Sequence, residues 1–240
     1  PFVEERYITA AEEEVFQPDM IGDFDPLGQF IPRSDKKGPY KQWGVVDRGV
    51  DYCIGVDVAE GRGGDYSCAQ VVNEDGEQVA VWHGYIDPFE FGDKIQDLAR
   101  HWNYAYVIVE RNNHGISVCD RLRQLDYKNL YQEETWDRRY EGRKSPKIGF
   151  TTTAKSKPLI VDNLASMLRL EESGIVDLDL VKELRTYQID DNGSTNAAAG
   201  CYDDRVMAYC LALFGLRTLP KKRPVVLRDK FEPLDKTIGY

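Results

Sequence analysis

Residues 52–61 read YCIGVDVAEG, an apolar run that ends on a carboxylate. Ile54-Gly55-Val56 is too apolar for a strand with one wet face, so the run reads as a core strand with Asp57 at its polar end. The pattern recurs at 106–110, where YVIVE stays apolar until Glu110. Glutamate is not a turn former, so a simple strand-ending turn does not account for it. A third acidic station, the pair Asp203–Asp204, stands in CYDDRVMAYCLAL, which has the pattern of an amphipathic helix. At about 100° per residue, Val206, Met207, Cys210 and Phe214 cluster around Asp203, which puts Asp203 on the core-facing stripe. Asp204 falls about a quarter-turn away, where a helix-dipole charge is the simpler reading.

The surrounding pattern is that of an α/β domain. Apolar runs at 51–58, 67–73 and 78–86 are separated by GRGGD and NEDGE, a meander of three strands. Pro88 opens a helix over 88–102 that carries Phe91, Ile95, Leu98 and Trp102 at helical spacing. A strand over 105–110, a helix over about 114–125 and a short strand at 129–132 follow. The polar, basic stretch 133–150 reads as a β-hairpin excursion. Helices are predicted over 155–171, 178–187 and about 202–217. Residues 1–48, acidic and then Pro/Gly-punctuated, read as an arm or linker with one short helix at 4–15. Residues 49–218 form the domain, a mixed sheet flanked by helices, and 219–240 a charged tail.

At 240 residues the chain can bury a sizeable core. It starts at Pro1, which suggests a piece of something longer. No run is long enough to cross a membrane. Five cysteines without CxxC spacing argue for reduced thiols and against a zinc ribbon. The net charge of −10 is unfavourable for a nucleic-acid binder, but it is unevenly spread. Between 138 and 157 stand Arg138, Arg139, Arg143, Lys144, Lys147, Lys155 and Lys157 against Glu141 alone. Such a segment can track a phosphate backbone, or it can be a solvated loop.

Carboxylates at the ends of core elements are costly to desolvate unless a cation neutralises them. Oxygen-only ligands suit Mg²⁺ or Mn²⁺ better than zinc. Two such ions about 4 Å apart would clamp a phosphodiester for in-line attack, so the three stations point to a metal-dependent nuclease. Asp65, in GRGGDYS, reads as a supplementary ligand or an ordinary turn aspartate. His114, in ERNNHG, is the histidine placed near the proposed site, though a polar loop histidine is more often structural. No GxxxxGK[ST] loop is present, so no ATP site is expected.

Taken in order, GVDVAEGRGGDYS, VIVERNNHG, GFTTTAKSKPLIVDNLASML and YDDRVMAYCLAL resemble the C-terminal nuclease domain of tailed-bacteriophage large terminase subunits. The resemblance covers about 50–217, and EERYITAAEEEVFQ is similar to the segment that joins the family's ATPase domain to its nuclease. It implies an RNase H-like fold and a two-metal endonuclease that cuts concatemeric viral DNA during packaging. It also implies metal ligands at Asp57, Glu110 and Asp203, with Asp204 adjacent. The implied partners are double-stranded DNA and, in the full motor, an ATPase domain, a portal protein and a small terminase, in the cytoplasm of the infected bacterial host. Tyr202 departs from the pattern, which often has histidine before the paired aspartates. Two other readings stand beside this one: a noncatalytic DNA- or portal-docking module of the same fold, and an actin-like phosphotransferase, which would need a second glycine-rich motif that is not evident.

Overall fold

The structure, a computed structural model, describes residues 2–33, 37–60, 66–112, 114–136, 144–190 and 193–220. In chain order the elements are α1 (Glu5–Glu13), β1 (Met20–Phe24), β2 (Phe30–Pro32), β3 (Tyr40–Gln42), β4 (Tyr52–Asp57), β5 (Ser67–Asn73), β6 (Gln78–Gly84), α2 (Pro88–His101) and β7 (Tyr106–Val109). They continue with α3 (Gly115–Gln124), β8 (Gln132–Trp136), β9 (Lys144–Ile148), α4 (Ser156–Arg169), α5 (Leu178–Thr186), β10 (Tyr187–Ile189), β11 (Thr195–Ala197) and α6 (Asp204–Thr218).

A seven-stranded sheet runs β2-β1-β3-β6-β5-β4-β7. Strands β6, β5 and β4 are the expected antiparallel meander, and β7 pairs with β4 in parallel, which makes the sheet mixed. The hairpin β8–β9 forms the expected excursion, with Gln132 opposite Ile148 and Trp136 opposite Lys144. The short strand expected at 129–132 reduces to a bridge between Leu130 and Val107, and β8 begins only at Gln132.

Helices cover both faces of the sheet, which explains why β4 and β7 read as unbroken apolar runs. Alternate residues of β4 enter different cores. Tyr52, Ile54 and Val56 join Phe91, Ile95, Leu98 and Leu122 of α2 and α3. Cys53 joins Ile108 of β7 and Val206, Tyr209, Cys210 and Leu213 of α6. Helix α6 approaches β4 backbone to backbone at Gly55, where a Cβ would lie 2.0 Å from the Ala208 carbonyl oxygen and 2.3 Å from the Ala212 nitrogen. Only glycine permits that approach.

Residues 1–48 depart from the expectation of an arm with one short helix. The helix is present, packed through buried Ile8 and Ala11. The segment also supplies β1, β2 and β3, which extend the main sheet through β3 pairing with β6, Tyr40 opposite Trp82. Strands of three to five residues interrupted by glycine and proline carry too little periodicity to read from sequence. They exist because β6 offers them an edge.

Candidate metal centre

The period-2 alternation that divides β4 between two cores also aims its last residue. Asp57 has the parity of Cys53 and Gly55, so it faces α6. Glu110 has the parity of Tyr106 and Ile108, which face the same way. The parallel register pairs Val56 with Val109, and the Glu110 N–H donates to the Val56 carbonyl at 2.8 Å. Asp57 and Glu110 therefore end adjacent strands on one face, close enough for the Glu110 charge to act on the Asp57 carboxyl. The turn beyond β7 is fixed by Asn112. Its Nδ2 donates to the Val58 carbonyl at 3.0 Å, while its Oδ1 accepts from the N–H groups of His114 and Gly115 at 3.1 and 2.7 Å. Gly115 is required there, since a Cβ would meet the Glu110 carbonyl oxygen at 1.8 Å.

Asp203 and Asp204 arrive at the same place from the start of α6. Burial pushes the Asp57 carboxyl well above the usual carboxylate range, and the charges of Glu110, Asp204 and Asp203 push it further. Asp203 is also raised by burial and by Asp204, against the opposing pull of Lys157, whose Nζ stands 3.9 Å from Asp203 Oδ2. The structure thus brings Asp57, Glu110, Asp203 and Asp204 into one electrostatic cluster. A cleft of ≈ 410 Å³ is lined by Asp57, Asp203, Asp204, Asn112, His114 and Tyr202 among others. Among the described residues, no three His, Cys, Asp or Glu side chains form a closed ion-binding group as they stand. The donor chemistry still fits a hard divalent cation: carboxylate oxygens at high negative charge density, in a partly dehydrated cleft.

Several expectations change at this level. Asp203 is not on a helical face: it is the N-cap of α6, with φ −133° and ψ 14°, and the helix begins at Asp204. Helical geometry therefore does not rank Asp203 above Asp204. The side chain of Asp204 is the less exposed of the two, at 16% against 29%. His114 does line the cleft, as expected from its place in the motif. His83, which sequence reasoning passed over, lies against the carboxylate cluster, with Nε2 3.9 Å from Asp204 Oδ2. The signal was in the meander register, where Asp57 pairs with Cys68 and Cys68 with His83, one row across three strands. Burial, and then the nearby Arg205 charge, push the His83 imidazole down to about 3, so it is neutral at physiological pH.

Arg205 faces away from the cleft. Its backbone N–H donates to Glu183 Oε2 at 2.9 Å and its guanidinium to Glu183 Oε1 at 2.5 Å, so Glu183 anchors the first turn of α6 from behind. Of the predicted basic segment, Lys157 comes to the carboxylates, while Lys147 and Lys155 are exposed to solvent. Asp65, Arg138, Arg139 and Arg143 lie outside the described residues, as does the side chain of Lys144. No described helix is long and apolar enough to cross a membrane, and all five cysteines are free thiols, Cys201 exposed and the others buried.

Residues 54–214 match the family described as the Terminase RNaseH-like domain. The fold is shared with the large terminase nuclease from thermophilic phage G20c, at TM-score 0.58 and 16% identity over 87% of this chain and 97% of that one. A second structure of that nuclease, described with bound magnesium, aligns at TM-score 0.57 and 17% identity over 86% of this chain and 95% of that one. The large terminase nuclease domain of Thermus phage P74-26 aligns at TM-score 0.56 and 17% identity, covering 87% and 94% of the two chains. No curated protein matches the chain.

Proposed function

Since this chain belongs to the terminase RNaseH-like domain family, we propose that it is a divalent-metal-dependent DNA endonuclease that cuts concatemeric viral DNA during genome packaging. The observation that carries the proposal is the convergence of Asp57, Glu110, Asp203 and Asp204 from two strand ends and one helix start into one electrostatic cluster, with Asp57, Asp203 and Asp204 lining a single cleft. A magnesium-bound relative of the same fold agrees with it. Asp57, Glu110 and Asp203 would hold Mg²⁺ or Mn²⁺, with Asp204 beside them and Asp65 as a candidate supplement.

When bound, a pair of such cations supplies Lewis acidity at the phosphate and makes water a nucleophile near neutral pH. The rest falls to the chain. Asp57 and Glu110 are fixed by paired strands, so their separation is set by backbone hydrogen bonds rather than by loop geometry. Asp203 and Asp204 are held at the start of a helix anchored by Glu183. Lys157 stands where a phosphate oxygen entering beside Asp203 would meet a positive charge. Arg138, Arg139, Arg143, Lys144, Lys147 and Lys155 would add sequence-independent phosphate contacts to double-stranded DNA, which predicts largely nonspecific cutting. An ATPase domain, a portal protein and a small terminase would be its partners in the motor, within the host cytoplasm.

The test is nicking of supercoiled plasmid with Mg²⁺, with Mn²⁺ and with EDTA, for the native chain and for Asp57→Asn. Metal-dependent nicking that falls more than about a hundredfold in the variant is the expected result. Undiminished nicking by a folded Asp57→Asn protein sinks the site assignment. A native chain that binds DNA but never cuts it, with either metal, would make the domain a docking module.

A further inference from the structure

Three tyrosines, Tyr66, Tyr85 and Tyr202, form a ring cluster that adjoins the carboxylate cleft through Tyr202, and none of them belongs to a hydrophobic core cluster. Tyr66 precedes β5, Tyr85 follows β6, and Tyr202 directly precedes Asp203. The register that pairs Ser67 with Gly84 brings the first two together, with ring centroids 4.0 Å apart and planes tilted by 30°. The other neighbour of Tyr66 is His83, stacked at 4.5 Å and 25°, and Tyr202 meets Tyr66 edge-on at 5.6 Å. His83 in turn stands 3.9 Å from Asp204, so the ring cluster runs unbroken from the carboxylates to solvent. At its outer end Tyr85 is 54% exposed and Tyr202 45%. Tyr202 also lines the cleft itself.

Packing accounts for Tyr66, which is held between the Tyr85 and His83 rings, but Tyr85 and Tyr202 gain little burial. Their chemistry suits the flat face of a nucleobase, which stacks on an aromatic ring whatever its identity. A base inside intact duplex has no free face to offer, because both are covered by its neighbours in the stack. The ring cluster can therefore engage only a base that has left the helix.

We propose that Tyr85 and Tyr202, with Tyr66 packed behind them against His83, form a stacking platform for an unpaired base next to the phosphodiester being cut. The substrate class is DNA that is locally single-stranded at the cleavage point: a gap, a flap or a melted stretch. The proposal rests on the nuclease reading above and refines its substrate. Tyr202, where the family resemblance leads one to expect histidine, acquires a role as an aromatic surface. No titration of the residue is required.

The experiment uses oligonucleotides that carry 2-aminopurine, whose fluorescence is quenched on stacking, with Ca²⁺ in place of Mg²⁺ to limit turnover. They are presented as a single strand, as a gapped duplex and as a continuous duplex. The expected result is quenching by the native chain on the first two and not on the third. Tyr85→Ala combined with Tyr202→Ala should remove the quenching and weaken single-strand binding about tenfold, with little change for continuous duplex. Tyr85→Phe should retain quenching, and Tyr85→Leu, which keeps apolar bulk without a π face, should lose it. The Leu variant keeps the test decisive if the double variant folds poorly. Equal losses on paired and unpaired DNA, or quenching that survives Tyr85→Leu, would overturn the platform. Plasmid nicking by the same native preparation is scored in parallel. Nicking without quenching defeats the platform alone, whereas quenching without nicking defeats the nuclease reading and reduces the platform to a single-strand binding site.

Discussion

Asp57 is a half-buried carboxylate whose pKa is raised first by desolvation and then by Glu110, Asp204 and Asp203. A carboxylate whose folded-state pKa exceeds its unfolded value costs stability whenever it is ionised. The cost is absent below the unfolded pKa of about 4 and grows as pH rises through the interval up to the folded value. Asp57→Asn removes it. In EDTA at pH 8 the variant should melt about 2–4 °C above the native chain, about 1 kcal/mol for a chain of this size, and the gap should close as pH falls toward 4. Thermal melts across that range check the direction: an Asn variant that melts lower at pH 8 would mean that the four acids do not repel as described. A residue that stabilises the protein when neutralised while abolishing its activity is one retained for function. Asp57 and Glu110 were legible in sequence because each ends an apolar run, and a misplaced charge stands out against such a background. His83 was not, because its proximity to Asp204 depends on strand register, which turns and bulges set. Asp203 lies in the carboxylate cluster, but not by the helical face expected of it, since a helical wheel cannot tell an N-cap from the first turn.

The contact between α6 and β4 sets how far the helix-borne acids stand from the strand-borne ones. Gly55→Ala puts a methyl into the Ala208 carbonyl and the Ala212 amide, both rigid backbone, so the helix must lift. A destabilisation of about 3 kcal/mol is expected, at the high end for overpacking. If the protein survives, its apparent affinity for Mg²⁺, read by calorimetry, should weaken although no ligand has changed. A Gly55→Ala protein of native stability would mean that the two backbones are not in contact. The long elements were readable because each carries a sustained period: α2 with Asp87 capping the Phe89 N–H and Pro88 at its first turn, and α4 and α5 with apolar stripes. The short strands β1, β2 and β3 were not, since their stability comes from the sheet they join and not from their own residues.

The whole molecule couples the first 48 residues to the sheet, and removing them uncovers β6. A chain that begins at residue 49 should lose solubility and bind a hydrophobic dye, because β6 would present unpaired backbone groups along its edge. A monomeric, cooperatively melting truncation would restore the simple arm. Global charge enters at the same scale. With a net charge of −10, phosphate attraction must come from a local segment. Neutralising Arg143, Lys144 and Lys147 together should flatten the salt dependence of DNA binding by up to about three counterions and leave Mg²⁺ affinity unchanged. An identical salt slope would remove that segment from the interface. The four acids also belong to parts of the molecule that open differently. Strand β4 is hydrogen-bonded along both edges and covered on both faces, so its amides should exchange with deuterium only through global unfolding. Asp203 follows a three-residue ribbon, β10–β11, whose amides can exchange by local opening. A divalent ion that bridges the two should slow exchange across 195–204 by mass spectrometry while 52–57, already at the limit, stays unchanged. The cation would then act as a clasp that passes the rigidity of the sheet to the segment that carries Asp203 and Asp204.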